Sequence, residues 1–329
     1  MPRGQLVAPR GQGRARRVVE ANRHHHASRF QQVRVLPVVH VARTHQPRCR
    51  VHSGRSEGMS GQLAGKIAVV TGSSRGIGRG TAIALAEMGA TVYITGRSSG
   101  SGPLTIDTTV KMVNDAGGTG IAVAVDHGDD AQIAALFARV KSDFGKLNIL
   151  VNNVYKIPDP PAWGGGFWEH PVSIWDDQVG IGLRAHYVAS WHAAPLLFEG
   201  GAGGSIMNVS SPGGSSYHFS SSYGAGKAGL DRLSADMAIE LRPKGIACCS
   251  IYPGSVATEF IQEWAGKRGS DLSQAQTTLG VGRAIAALAV APDLMDRSGT
   301  IQWVEDISEQ FDVRDENGNL AVRYHSRQR

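Results

Sequence analysis

A short apolar run, a glycine-rich turn and a helix-forming stretch follow one another between residues 66 and 88, and no other segment restricts the fold as strongly. Lys66-Ile-Ala-Val-Val-Thr71 is apolar and β-branched with no helical stripe, which predicts a buried strand. Gly72-Ser-Ser-Arg-Gly76-Ile-Gly78 follows, and Thr81-Ala-Ile-Ala-Leu-Ala-Glu-Met88 predicts a helix ending at Gly89. Strand, glycine turn and helix together bring backbone N–H groups and a helix N-terminus onto a pyrophosphate, with glycine where a side chain would block the approach. The spacing, Thr-Gly-x-x-x-Gly-x-Gly, is wider at its start than the common dinucleotide fingerprint. A glycine triplet alone also fits a flexible surface turn; its place between a buried strand and a helix makes the signal specific.

From Lys66 onward strand and helix patterns alternate, which predicts an α/β fold: one Rossmann-type, doubly wound parallel sheet of about seven strands, helices on both faces, in a single domain. The further strands are read at 91–95, 121–125, 147–151, 205–210, 245–251 and 300–304, and further helices at 105–116, 131–144, 174–198, 223–241 and 281–290. Ligands of such sheets bind beyond the carboxyl ends of the strands. Gly72, Asn152, Ser211 and Pro253 all fall just past predicted strand ends, so they are expected to share one crevice.

Within that frame Tyr223 and Lys227, in Tyr-Gly-Ala-Gly-Lys, stand one helical turn apart with Ser210 and Ser211 12–13 residues upstream. A phenol ordinarily titrates near pH ~10, too high for efficient proton exchange at neutrality, and a fixed ammonium beside it lowers that value. A serine hydroxyl can hold a substrate oxygen next to the phenol. By itself a Tyr/Lys pair at helical spacing also fits a solvated amphipathic face; the glycine turn favours the chemical reading.

Charge is unevenly placed. Residues 1–58 hold twelve arginines, no lysine and two acidic residues, whereas 59–329 hold 22 basic and 26 acidic residues, so the overall +6 is no nucleic-acid footprint. The upstream segment lacks apolar periodicity and carries six of the twelve histidines, including His24, His25 and His26, without complementary metal ligands; no metal site is expected. The segment fits a transit peptide, a disordered basic arm or a non-native upstream extension. The last is preferred, because Met59-Ser-Gly-Gln-Leu-Ala-Gly-Lys66 runs straight into the first strand; the domain is expected to span 59–329. Three cysteines, Cys49, Cys248 and Cys249, form no disulfide framework, which suits a reducing, cytoplasmic setting. No apolar stretch reaches membrane-spanning length.

Together these segments resemble the classical short-chain dehydrogenase/reductase family, over roughly Gly65 to Val304. The motifs are Thr71-Gly-Ser-Ser-Arg-Gly-Ile-Gly78, Asn152-Asn153, the serine pair, Tyr223-x-x-x-Lys227 and Pro253-Gly254. Phe167-Trp-Glu, Ile174-Trp-Asp-Asp, Gly182-Leu-Arg-Ala-His-Tyr187 and Ser210-Ser-Pro-Gly are similar to its member-1 branch. The resemblance implies that Tyr223 is the acid/base, that Lys227 lowers its pKa and binds the nicotinamide ribose, and that Ser211 or Ser210 orients the carbonyl, with Ser211 preferred. It implies cofactor contacts from Gly72, Ser74, Arg75, Gly76, Ile77, Gly78, Asn152, Pro253, Gly254 and Val256, from Asp126 to the adenine, and from Thr258 to the nicotinamide amide. Two departures stand out: Asn152-Asn-Val-Tyr155 replaces the usual Asn-Asn-Ala-Gly, and Gly182 replaces an asparagine that supports a water relay to the lysine.

The end of the second strand, Thr95-Gly-Arg97-Ser98, offers a cation and a hydroxyl where an acidic residue would select NAD(H). With Arg75 as a second guanidinium, NADP(H) is expected over NAD(H). Trp163, Phe167, Trp168 and Trp175 in the segment 155–175 suggest an apolar substrate pocket, or equally a packed lid or subunit contact. The resulting expectation is an NADP(H)-dependent carbonyl reductase, reversible as an alcohol dehydrogenase, acting on a small apolar carbonyl or alcohol and assembling as a dimer or tetramer. The alternative is an NADP-binding sensor or interaction protein with little catalysis, kept open by Gly182.

Overall fold

The computed structural model describes residues 61–324 except 160, 162 and 163. The upstream extension 1–58, the start at Met59, and Pro160 and Trp163 of the aromatic segment lie outside the described residues. The described residues fall in one compact unit.

Seven parallel strands form one sheet in the order β3-β2-β1-β4-β5-β6-β7. They are β1 (Ile67–Val70), β2 (Thr91–Gly96), β3 (Thr119–Ala124), β4 (Ile149–Asn152), β5 (Ser205–Val209), β6 (Ala247–Tyr252) and β7 (Ile301–Trp303). Order reverses between β1 and β4, where the crevice expected of a doubly wound sheet opens. Alternate residues of β1 serve opposite faces. Ala68 and Val70 join the apolar layer under α1 (Gly76–Glu87), α2 (Ile106–Asp115) and α8 (Thr278–Ala289). Ile67 and Val69 join the layer under α3 (Asp130–Phe144), α5 (Ala185–Gly200) and α6 (Ser221–Leu241). Burial on both faces explains why these strands read as continuous apolar runs.

Side-chain caps fix several helix starts: Thr105 on α2, Asp129 on α3 and Ser220 on α6 each accept a backbone N–H bond. The segment predicted at 174–198 is composite. A single turn, α4 (Ser173–Trp175), leads into a π-helical stretch (Asp176–Arg184) and then α5. Three helices escaped the sequence reading: α7 (Glu259–Arg268), α9 (Leu294–Arg297) and α10 (Val304–Gln310). Val304, taken as the end of the last strand, opens α10. Among the described residues, no helix is long and apolar enough to cross a membrane.

Candidate active site

The start of α6 carries the centre of the site. Ser220 caps the helix and fixes its first turn, which sets Tyr223 facing the turn after β5. The Tyr223 hydroxyl donates to Ser211 Oγ (2.7 Å), and that oxygen also accepts the Gly213 N–H (3.0 Å). A Cβ on Gly213 would lie 2.5 Å from the Tyr223 ring, so only glycine lets the turn pack on the phenol. One turn on, the buried Lys227 donates from Nζ to the Val209 carbonyl (2.9 Å), with its ammonium 5.9 Å from the Tyr223 ring centroid and 5.4 Å from that of Tyr155. Ser210 is turned the other way: the residue is buried and its hydroxyl donates to the Lys227 carbonyl (3.4 Å). Strand alternation therefore puts Ser211, not Ser210, against the phenol.

Burial dominates the titration of both groups. It pushes the Tyr223 phenol up to about 12, against the lowering hydrogen bond with Ser211. It brings the Lys227 ammonium down to about 8, with Asp231 acting in the opposite sense. The expected lowering of the phenol by Lys227 is not present in this state, in which the ammonium is directed at Val209.

Across the crevice, α1 begins without a cap from the Arg75 side chain, which leaves its end to other acceptors. Gly72 has φ +65°, and a Cβ there would stand 2.8 Å from Val154 Cα. The Gly76 N–H donates to Glu259 Oε2 (2.8 Å), and Arg79 lies 3.4 Å from the same carboxylate. A carboxylate seated on this helix end shows that the turn accepts an anion, as a pyrophosphate-binding turn must.

Turn and phenol open into one cleft of about 480 Å³. Gly72, Ser74, Arg75, Gly76, Ile77, Arg97, Ser98 and Asp126 line it, as do Ser210, Ser211, Tyr223, Lys227, Pro253, Gly254, Val256 and Thr258. Two expected cofactor contacts do not. Asn152 is the last residue of β4 and points inward, its amide donating to Ser190 Oγ (2.9 Å) and Asn208 Oδ1 (2.9 Å). Asn153 lines the cleft in its place and holds the Gly72 carbonyl (2.9 Å). Gly78 is buried beneath the turn, where a Cβ would meet the Gly72 carbonyl at 2.4 Å; it shapes the turn without facing the cleft.

The aromatic segment also differs from expectation. Phe167, Trp168 and Trp175 are exposed and do not line the cleft, whereas Tyr155 does. His186 is a packed residue, bonded to the Val154 carbonyl (2.8 Å) and kept neutral by burial. The sequence reading missed His127, His218, Phe219, Glu259 and Tyr324, all in the cleft wall. Only the strand-end position of His127, next to Asp126, gave a signal that could have found any of them.

A profile of the family described as short chain dehydrogenase matches residues 66–269. The chain belongs to the short-chain dehydrogenase family. It is 37% identical over 282 residues to dehydrogenase/reductase SDR family member 1 of Mus musculus, covering 82% of this chain and 88% of that protein. The Homo sapiens protein of the same name matches equally, in line with the member-1 motifs. L-rhamnose 1-dehydrogenase (NAD(P)(+)) of Azotobacter vinelandii is 35% identical over 205 residues, covering 61% of this chain and 77% of that protein. A solved short chain dehydrogenase from Mycobacterium thermoresistibile has a TM-score of 0.68 at 27% identity, covering 79% of this chain and 92% of that one. Family membership makes the protein an oxidoreductase that works with a nicotinamide cofactor, and the glycine turn with its anion-accepting α1 end fits that group.

The two departures from the short-chain dehydrogenase pattern meet in space. Gly182 sits in the π-helical stretch, and a Cβ there would lie 3.2 Å from the Tyr155 ring. The ring fills the space that a side chain at 182 would need. The Tyr155 hydroxyl accepts from Gln178 Nε2 (3.2 Å), and Gln178 Oε1 accepts from Ser220 (3.0 Å) and from Ser222. A tyrosine and a glutamine thus occupy the region where an asparagine was expected.

Proposed function

We propose that the protein is an NADP(H)-dependent carbonyl reductase, reversible as an alcohol dehydrogenase. The observation that carries this is the 2.7 Å bond from Tyr223 to Ser211, with Lys227 one turn below, in the same cleft as the anion-accepting end of α1. When bound, the nicotinamide supplies a hydride to the carbonyl carbon or takes one from the alcohol. Ser211 Oγ holds the carbonyl oxygen, and the Tyr223 phenol gives that oxygen its proton as the carbon is reduced. Lys227 then serves as the cation that stabilises the resulting phenolate and holds the ribose hydroxyls. Tyr155 and Phe219 in the wall support an apolar substrate.

The preference for NADP(H) is supported by Arg97, exposed at the end of β2 and lining the cleft beside Ser98, with Arg75 across it. The rhamnose dehydrogenase relative is named for both cofactors, so likeness does not choose. Arg97→Asp is expected to shift the NADPH-over-NADH ratio of kcat/KM by roughly ten-fold or more, the scale of one charged hydrogen bond. An unchanged ratio would remove the phosphate-clamp assignment.

A homo-oligomer joined through α5 and α6 is supported by Tyr187 and Trp191 on α5, which are 50% and 64% exposed. The buried free thiols Cys248 and Cys249 support a cytoplasmic setting, and the working domain is taken to begin at Met59. A panel of ketones, aldehydes and quinones with NADPH and NADH side by side tests the reading. Turnover favouring NADPH is expected; tight cofactor binding without turnover on any of them would favour the sensor.

A further inference from the structure

The family profile ends at residue 269, yet the cleft wall includes Tyr324. The chain returns to the site by a strap that turns at Asp315, whose carboxylate accepts the Asn317 and Asn319 N–H groups (2.9 and 2.8 Å). Three bonds latch its end to the body. Ala321 N–H donates to Ser308 Oγ (2.8 Å), Gln276 Nε2 to the Val322 carbonyl (3.1 Å), and Tyr324 N–H to Glu305 Oε1 (3.0 Å). Gln276 is 4% exposed, and its other end accepts the Gly254 N–H (3.1 Å). One buried amide therefore ties the strap to the turn after β6. Contact is close: a Cβ on Gly254 would lie 2.9 Å from Tyr324 Cβ.

The Tyr324 hydroxyl lies 3.1 Å from His218 Nε2, across a separation of 106 residues. His218 Nδ1 lies 3.2 Å from the Ser216 carbonyl and 3.3 Å from Ser216 Oγ; with the ring proton on Nδ1, Nε2 accepts from Tyr324. Beside them Phe219 has φ +59°, a left-handed conformation unfavourable for a bulky side chain. Its ring meets that of Tyr223 edge-on at 5.1 Å. Backbone strain of this kind persists where the surroundings hold it and concentrates at functional sites. Phe219 and Tyr324 thus bring two aromatic groups to the cleft, one of them directly on the catalytic phenol.

We propose that the strap makes Tyr324 a specificity residue of this pocket, selecting ketones that carry a ring-sized apolar group over small aliphatic ones. The proposal rests on the carbonyl-reductase reading for its substrate class. An aryl group bound over Tyr223 has the Phe219 and Tyr324 rings of the same wall to pack on, whereas a four-carbon ketone offers them less apolar surface. Aromatic contacts of this kind are worth enough to be read in affinity.

Two measurements on the full chain test this. The first is kcat/KM for acetophenone relative to butan-2-one in wild type, Tyr324→Phe and Tyr324→Ala, with NADPH affinity as the check on folding. Tyr324→Ala is expected to lower the preference roughly ten-fold, chiefly through KM, with NADPH affinity unchanged, and Tyr324→Phe to restore most of it. The second is acetophenone affinity for NADPH-loaded Tyr223→Phe protein with and without Tyr324→Ala, which needs no turnover. Loss of affinity there upholds the pocket even if wild type reduces no ketone, an outcome that would overturn the catalytic reading alone. Unchanged preference and affinity in Tyr324→Ala, or wild type binding acetophenone no better than butan-2-one, overturns the proposal.

Discussion

Tyr223→Phe is expected to lower kcat for carbonyl reduction by roughly a thousand-fold, the middle of the range for a positioned general acid. Affinity for NADPH should stay close to wild type. The substitution removes one oxygen and its bond to Ser211, while the ring keeps its packing on Phe219, Tyr155 and the Gly213 turn. Burial holds the free-state phenol at about 12, so it carries its proton throughout the neutral range and is ready to act as an acid. Lys227, brought down to about 8, is cationic below that pH and loses its charge above it. The wild-type rate of reduction should therefore fall as pH rises through about 8, as the cation that supports the phenolate is lost. Steady-state kinetics across pH, with cofactor titration by fluorescence, checks both points. An unaltered kcat in Tyr223→Phe would remove the phenol from the chemistry.

Gly80→Ala is expected to lower stability by about 3 kcal/mol, the level reached when a rigid close packing is overfilled. Helices α1 and α8 cross at Gly80 and Gly282. A Cβ on Gly80 would stand 2.0 Å from the Thr278 carbonyl oxygen, and one on Gly282 would stand 2.3 Å from the Gly80 carbonyl oxygen. Both neighbours are backbone, so no rotamer change relieves the overlap, and the helices must separate over a shared apolar layer. For a domain of this size the loss corresponds to a fall in Tm of roughly 6–12 °C. Gly266→Ala in α7 is the matched control, because nothing lies within 4 Å of its Cβ position. There the helix should be unchanged or slightly more stable. Equal thermal shifts for the two variants would contradict the account of the crossing.

The same residues show what a linear sequence can reveal. The strand, glycine turn and helix at the start of the fold were legible, because buried parallel strands and helix-opening turns leave short-range patterns in composition. Tyr223 and Lys227 were legible for the same reason, being one turn apart on α6. Errors of one residue arose at strand ends. Asn152 and Asn153 look alike in sequence, yet the pleat sends the first inward to Asn208 and the second to the cleft. Ser210 and Ser211 divide in the same way, although both edge the cleft. Gly182 read as a missing relay residue because its partner, Tyr155, is 27 positions away and meets it only through the π-helical stretch. Glu259 and Tyr324 had no local signature at all, since each reaches the site by a long return of the chain.

In the proposed reaction this cleft transfers a hydride between a nicotinamide and a carbonyl carbon under proton control by Tyr223. Reduction of a ketone found active in the panel, using NADPH deuterated at the transferable position, tests it most directly. Mass spectrometry of the product should find one deuterium on the carbinol carbon for each NADPH oxidised, and Tyr223→Phe should yield almost no labelled alcohol. Cofactor oxidation without label in the alcohol, or equal labelled yield from Tyr223→Phe, would contradict it.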